Sequence, residues 1–222
     1  MRSLVEEALA KDAAPAKMEL APNFGYQQLD STDAELIELL QKLKTNIKIV
    51  GCGGGGSNTI NRISEENISG LETYAANTDA QHLLATRAQH KILLGRRSTR
   101  GLGAGALPQV GEQAAREAEE EIRKAVTDAH IVFVTAGMGG GTGTGSASVV
   151  ANIAKEMGAL TIAVTTTPFK GEGRMRMENA EWGLQRLRST ADTVIVIPND
   201  KLIELYPRLG LNQAFKMADE VL

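Results

Sequence analysis

Aromatic residues are scarce in this chain, at 4% of 222 residues. Its core must therefore be filled by Val, Ile, Leu and Ala. Cysteine is scarcer still. Cys52 stands alone, which excludes an internal disulfide and fits a reducing compartment. No apolar run approaches the roughly 18 residues of a membrane span, so direct insertion into a bilayer is not expected. The first residues lack the basic, apolar and small-residue regions of a secretory signal, and the expected location is the cytoplasm. Basic charge is not in excess either: 24 Lys and Arg stand against 27 Asp and Glu, for a formal net charge of −3. Nucleic acid, whose binding rests on basic surface, is not an expected partner. The sequence G-x-x-x-x-G-K-[ST] is absent, which excludes a P-loop NTPase. His82, His90 and His130 show no ligand spacing and read as structural, and no Ser-His-Asp arrangement stands out.

What the chain does have is glycine, 23 residues of it, clustered rather than spread as in a linker. Residues 1–30 differ in composition from the rest. Leu4, Val5, Ala8 and Leu9 have helical spacing, and Ala13 to Gly25, with Pro15 and Pro22, reads as a linker. Residues 31–222 read as one domain. Thr32-Asp33-Ala34-Glu35 has capping-box spacing and opens a helix. Short apolar runs follow at Ile47–Val50, Ile131–Val134, Leu160–Val164 and Val194–Ile197, with weaker ones at Thr73–Ala76 and Lys91–Leu94. They alternate with helical segments such as Pro108–Val126 and Ser146–Met157. This alternation predicts an α/β fold, an open, mostly parallel sheet with helices on both faces.

In such sheets ligands bind beyond the carboxyl ends of the strands, at helix N-termini. Two glycine clusters directly follow strands: Gly51-Cys52-Gly53-Gly54-Gly55-Gly56-Ser57-Asn58, and Gly137-Met138-Gly139-Gly140-Gly141-Thr142-Gly143-Thr144-Gly145. A third, Gly101-Leu102-Gly103-Ala104-Gly105, precedes the helix at Pro108. Bared N–H groups and helix dipoles there favour an anion such as phosphate. Any one of these segments also reads as a tight connection, but three on one edge are hard to explain by turn geometry. Gly51, Gly53 and Gly56 satisfy G-x-G-x-x-G, so an NAD-dependent oxidoreductase is a rival. That rival expects an acidic residue at the end of the second strand, near where Asp79 lies, and leaves Gly137–Gly145 unexplained.

The string GMGGGTGTG at 137–145 resembles the signature of the tubulin/FtsZ family of GTPases. The likeness continues through GCGGGGSN, Asn77-Thr78-Asp79, Gly101–Gly105, Thr167-Pro168-Phe169, Ile197-Pro198-Asn199-Asp200 and Ala214–Asp219, in the family's order, over about residues 46–222. It is nearer to the prokaryotic division branch than to tubulin, and the N-terminal extension is similar to that of archaeal members. The resemblance implies GTP or GDP as ligand, with Mg²⁺ held through the phosphates rather than by the protein. It implies that Gly53, Gly54, Asn58 and the run Gly137, Gly139, Gly140, Gly141, Thr142, Gly143, Thr144 and Gly145 contact phosphates, ribose or base. Asp79 and Ala104 would lie near the γ-phosphate, and Glu172 and Arg176 near the ribose, beside Thr167 and Pro168. Asn199, Phe215 and Asp219 would hold guanine. Ser57 and Ala106-Leu107 depart from the usual pattern and put only local contacts in question.

Guanine chemistry bears independently on the last group. N1–H and N2–H₂ are neighbouring donors that one carboxylate accepts together, and adenine has no such pair. Phe215 and Asp219 are four residues apart, on one helix face. For Phe215, core packing beside Leu211, Ala214 and Ala218 is the competing reading; for Asp219 it is a solvated charge. Arg96, Arg97 and Arg100 form a basic cluster before the third glycine segment that reads as an aid in neutralising phosphate or, in slight preference, as a solvated loop, and Cys52 reads as a small packing residue.

By the same resemblance, the partner is a second copy, added head to tail into a filament of cell division, alongside other division proteins and a membrane anchor that the motifs do not name. The group that orients the attacking water comes from a neighbouring subunit's N-x-D-x-x-D loop. This chain contains no such loop. By the family's order the loop is expected beyond Leu222, at the far end of the helix that starts near Leu211. No catalytic residue is therefore assigned within the chain, and it reads as a fragment that binds nucleotide and hydrolyses it barely. A nucleotide-binding scaffold that never turns over stands as the second hypothesis, and the oxidoreductase as the third.

Overall fold

The structure, a computed structural model, describes residues 45–66, 68, 70–205 and 211–221. The helices expected near Leu4 and Thr32 and the linker at 13–25 lie outside the described residues. So does Leu222, the residue beyond which the water-orienting loop is expected, and the helix leading toward it is described as far as Val221. The element order is β1 (Ile47–Cys52), α1 (Gly53–Glu65), β2 (Leu71–Asn77), α2 (Ala80–Ala85), β3 (His90–Leu93), α3 (Pro108–Glu117), α4 (Glu119–Val126), β4 (Ile131–Gly137), α5 (Thr142–Glu156), β5 (Leu160–Thr167), a 3₁₀ turn (Lys170–Glu172), α6 (Arg174–Thr190), β6 (Thr193–Pro198), α7 (Asp200–Leu205) and α8 (Leu211–Val221).

Six strands form one sheet in the order β3-β2-β1-β4-β5-β6, and every pairing is parallel. The apolar runs foretold each of these strands. β1, β4 and β5 run on past those runs into Gly51-Cys52, Thr135–Gly137 and Thr165–Thr167, because their neighbours supply ladder partners there. The strand order reverses between β1 and β4, and that point is where a crevice opens at the carboxyl edge.

Helices cover both faces. On the side of Val50 and Cys52 the core is made with Ile122, Val126, Val132, Val134, Ala147, Val150 and Leu187, drawn from α4, β4, α5 and α6. The opposite side belongs to α1, since Gly51 abuts Gly56 and Ile60. Phe169, Leu202, Ala214 and Ala218 form a smaller cluster under α7 and α8. The aliphatic core matches the scarcity of rings.

Two segments differ from expectation. Pro108–Val126 is two helices, broken at Ala118 (φ −99°, ψ 18°). Glu117 turns aside to accept from the Arg97 and Ser98 amides at 2.7 and 3.2 Å, while Glu119, Glu120 and Glu121 supply the negative charge that favours a new N-terminus. The helix expected from Ser146 begins at Thr142, inside the glycine run.

Candidate functional site

The first glycine cluster is no loop. The strand runs to Cys52 and the helix starts at Gly53, so the chain turns from one to the other with no connecting residues. Gly53 makes this turn with φ +70°, a region that costs a side-chain-bearing residue about 1–2 kcal/mol. Gly56 is required for another reason: a Cβ there would lie 2.5 Å from the Thr135 carbonyl oxygen. Part of the cluster therefore serves close packing of α1 on β1 and β4 rather than ligand contact.

The two helices that leave β1 and β4 begin side by side. A Cβ on Gly53 would sit 2.5 Å from the Gly143 amide nitrogen. Neither α1 nor α5 has a side-chain cap, and neither has an acidic residue in its first turn. Each N-terminus carries the equivalent of roughly +0.5 charge, so bringing two together without a carboxylate leaves an electropositive spot lined by unsatisfied amides. The third glycine segment closes over this point. Gly141 N–H donates to the Gly105 carbonyl at 2.9 Å and Gly103 N–H to the Thr78 carbonyl at 3.1 Å. Thr78 and Thr142 hydroxyls meet at 2.6 Å.

A cleft of about 360 Å³ runs from this spot across the sheet edge. Of the residues expected at the site, Gly54, Gly137, Gly140, Gly141, Thr142, Gly143, Pro168, Glu172, Arg176, Asn199 and Phe215 line it. Phe215 remains 38% exposed and makes an edge contact with Phe169, ring centroids 5.1 Å apart, so its ring is not enclosed by the core. Core packing is the role of its neighbours Ala214 and Ala218 instead. Asn199 is 7% exposed, and its Oδ1 has no hydrogen-bond partner. A buried acceptor left unpaired costs about 1–3 kcal/mol, which a donor on a ligand would recover. Glu172 and Arg176 pair with each other at 2.7 Å, and Glu172 also accepts from the Phe169 amide at 2.9 Å.

Other expected residues stand behind the cleft wall. Thr144 is fully buried and accepts the Gly139 N–H at 2.9 Å, so this pair shapes the turn. Gly53 is buried at the helix junction, Gly145 faces α3, and Ala104 packs on Gly141. Thr167 accepts from the Asn199 amide at 3.2 Å. Asp79 caps α2 by accepting from the His82 amide at 3.0 Å. Asn58 is half-buried in α1, and the side chain of Asp219 lies outside the described residues, one turn beyond Phe215. Gly55, Gly105, Met138, Thr166 and Ala218 line the cleft as well. They carry no chemistry that a sequence pattern would reveal.

His90 stacks on Tyr74 at 4.6 Å and His130 Nδ1 accepts from the Asn46 amide at 2.9 Å, both structural. Cys52 is buried beside Ser146, and burial pushes its thiol up to about 12. Arg96 pairs with Glu121 at 3.7 Å in the open, and Arg96, Arg97 and Arg100 do not line the cleft. Ser57 is fully buried with an unpartnered hydroxyl, and the Ala106 carbonyl accepts from Asn179 at 2.9 Å. A second cavity, about 270 Å³, is lined by Glu112, Arg116 and Arg186 among others. Its carboxylates are already paired, Glu112 with Arg116 and Arg186, and Glu119 and Glu156 with Arg123.

Residues 46–207 match the family model described as the Tubulin/FtsZ family, GTPase domain. The chain belongs to the tubulin/FtsZ family. Among curated relatives, it is 57% identical over 222 residues to cell division protein FtsZ 1 of Archaeoglobus fulgidus, covering all of this chain and 59% of that protein. It is 56% identical over 199 residues to the protein of the same name from Methanocaldococcus jannaschii, covering 90% of this chain and 55% of that one. The chain thus spans under three-fifths of the length of these tubulin/FtsZ relatives. Among solved structures, an empty FtsZ dimer of M. jannaschii superposes with a TM-score of 0.81 at 56% identity, over 87% of this chain and 56% of the other. CetZ2 from Haloferax volcanii, a GTPγS-bound protofilament, shares the fold at TM-score 0.71 and 22% identity, over 80% and 55%.

Proposed function

We propose that the cleft binds a guanine nucleotide and that this chain carries the nucleotide-binding part of a self-assembling GTPase of cell division. The observation that supports this most directly is the meeting of two uncapped helix N-termini at the sheet's switch point. An anion held there is stabilised by both dipoles and by the first-turn amides. Gly54, Gly140, Gly141, Thr142 and Gly143 would face the phosphates, with Asp79 and Ala104 near the terminal one. Gly53, Gly137, Gly139, Thr144 and Gly145 shape that cradle, and Asn58 lies behind it. Glu172 and Arg176, beside Thr167 and Pro168, would meet the ribose. Phe215 would stack the base while Asn199 and Asp219 read its edge.

Among the described residues no group of three or more His, Cys, Asp or Glu stands close enough to hold a metal. Mg²⁺ would travel with the phosphates and offset their charge; Asp79 and the Thr78–Thr142 hydroxyl pair are the nearby oxygens of this chain. Phosphoryl transfer then rests on positioning and on a group that orients water. That group would come from a neighbouring copy of the longer protein, on a loop past the position of Leu222, in a head-to-tail contact that builds an open filament. The FtsZ dimer of M. jannaschii, 56% identical to this chain, lends support to self-association. The reading implies the cytoplasm, at the division site; among the described residues no helix is long and apolar enough to cross a membrane.

Isothermal titration of the 222-residue chain with GTP, ATP and NAD is the test. GTP alone is expected to bind tightly, with hydrolysis by the chain itself close to background. Tight NAD binding would restore the oxidoreductase reading. Asp219→Ala should lose most of the preference for GTP over ATP, about 10- to 150-fold for a hydrogen bond to a charged group. Unchanged competition binding would remove Asp219 from the base site. In the longer protein, hydrolysis per molecule should rise steeply with protein concentration. A flat dependence favours the non-hydrolysing scaffold or turnover within a single subunit.

A further inference from the structure

His82 reads from sequence as structural, but in the fold its ring stands beside Gly54, a residue that lines the cleft. His82 lies in the first turn of α2, where its amide donates to Asp79 Oδ1 at 3.0 Å. Its ring Nδ1 is 3.1 Å from Asn77 Nδ2, a group on a side chain only 3% exposed. The Asn77 amide has one orientation here, because Asp79 N–H donates to its Oδ1 at 3.3 Å. The NH₂ end therefore faces the imidazole. An NH₂ group donates and does not accept, so Nδ1 is the acceptor and the neutral ring carries its proton on Nε2. Among the described residues nothing accepts that Nε2–H. The ring borders Gly54 at the amino end of α1: a Cβ on Gly54 would lie 3.7 Å from His82 Cε1 and 3.9 Å from Nδ1. Gly54 is exposed and lines the cleft.

The strand order gives the cleft a direction. Asn199 follows β6 at one edge of the sheet, Gly137–Gly143 follow from β4 in the middle, and Gly54 after β1, with Thr78, Asp79 and His82 after β2 beyond it, stands toward the other edge. A nucleotide stacked on Phe215 extends its phosphates toward His82, and a triphosphate reaches one phosphate further than a diphosphate. Resting on the nucleotide reading above, we infer that His82 senses the terminal phosphate. Its Nε2–H, oriented by the Asn77–Asp79 relay, donates to a γ-phosphate oxygen and thereby separates GTP from GDP. Asn77 and Asp79 act through the imidazole as positioning residues.

Calorimetric titration of the 222-residue chain with GTP and with GDP, both in Mg²⁺, reads this directly. His82→Ala should lower GTP affinity roughly tenfold or more, the range for a hydrogen bond to a charged group, and leave GDP affinity as it was. His82→Gln, whose amide nitrogen reaches the Nε2 position, should keep the GTP preference. His82→Asn, whose amide reaches only the Nδ1 position, should lose it as alanine does. Equal losses for GTP and GDP would make His82 a structural residue and overturn the inference, as would an unchanged ratio. If wild-type chain binds neither nucleotide, the nucleotide reading falls and this one with it. Should the alanine variant unfold, the glutamine and asparagine pair carries the same comparison.

Discussion

Lys48 is a cation buried in a strand, and its surroundings explain why it is tolerated. Its ammonium donates to the Ala125 and Thr127 carbonyls at 3.0 and 2.9 Å, at the end of α4, and lies 3.4 Å from Glu72. Those carbonyls are the ones a helix leaves unpaired at its C-terminus, where positive charge is favoured. Lys48→Met should lower stability by about 1–3 kcal/mol in urea denaturation, since the two carbonyls lose their donor. Nucleotide affinity should be unaffected, because Lys48 sits at the opposite end of β1 from the cleft. An unchanged unfolding midpoint would deny it this capping role.

Glu72 makes the same cluster sensitive to acid. Partial burial raises its pKa, but the Tyr74 hydroxyl and Lys48 outweigh burial, and the carboxyl is held below its ordinary 4.5. A lowered folded-state value stabilises the protein above that ordinary value and is lost as the pH falls through the lowered one. Glu72→Gln should therefore flatten the acid limb of the stability curve below about pH 4.5 and leave neutral-pH slopes alone. Cys52 gives a third test. With its thiol pushed up to about 12 inside the core, it should resist iodoacetamide at about pH 8 until the protein unfolds. Rapid labelling of native protein would mean that β1 and α5 part easily.

At the scale of elements, the first turn of α1 concentrates the constraints. Gly56→Ala would drive a methyl into the Thr135 carbonyl and should cost about 1–3 kcal/mol as overpacking. Denaturation of the variant measures it; a neutral result would mean that α1 can lift off β4 at no cost. The central strands were legible because apolar runs buried on both faces leave little else for a chain to do. The start of α5 was not, because glycine and threonine are poor helix formers. The helix begins there because strand β4 and the neighbouring Gly105 segment fix its first residues. The break between α3 and α4 was hidden as well. It depends on Glu117 capping a distant loop, a contact with no trace in local periodicity.

For the molecule as a whole, ligand and stability are linked. Anything bound to the native cleft and not to the unfolded chain stabilises by about 2.7 kcal/mol at a concentration roughly 100 times its Kd. GTP should raise the thermal midpoint at fixed protein concentration, while NAD should leave it unmoved; equal shifts for the two would contradict the guanine reading. The alternation of strands and helices, the glycine clusters and their place after strands were written in the sequence, since each is a local consequence of side-chain size and periodicity. Which glycines open a cradle and which merely let a helix touch a strand was decided only by the fold. So was the placing of the His82 ring beside Gly54. Both depend on which backbone atoms of remote segments come within a few ångströms, and that distance is a property of the packed sheet rather than of neighbouring residues.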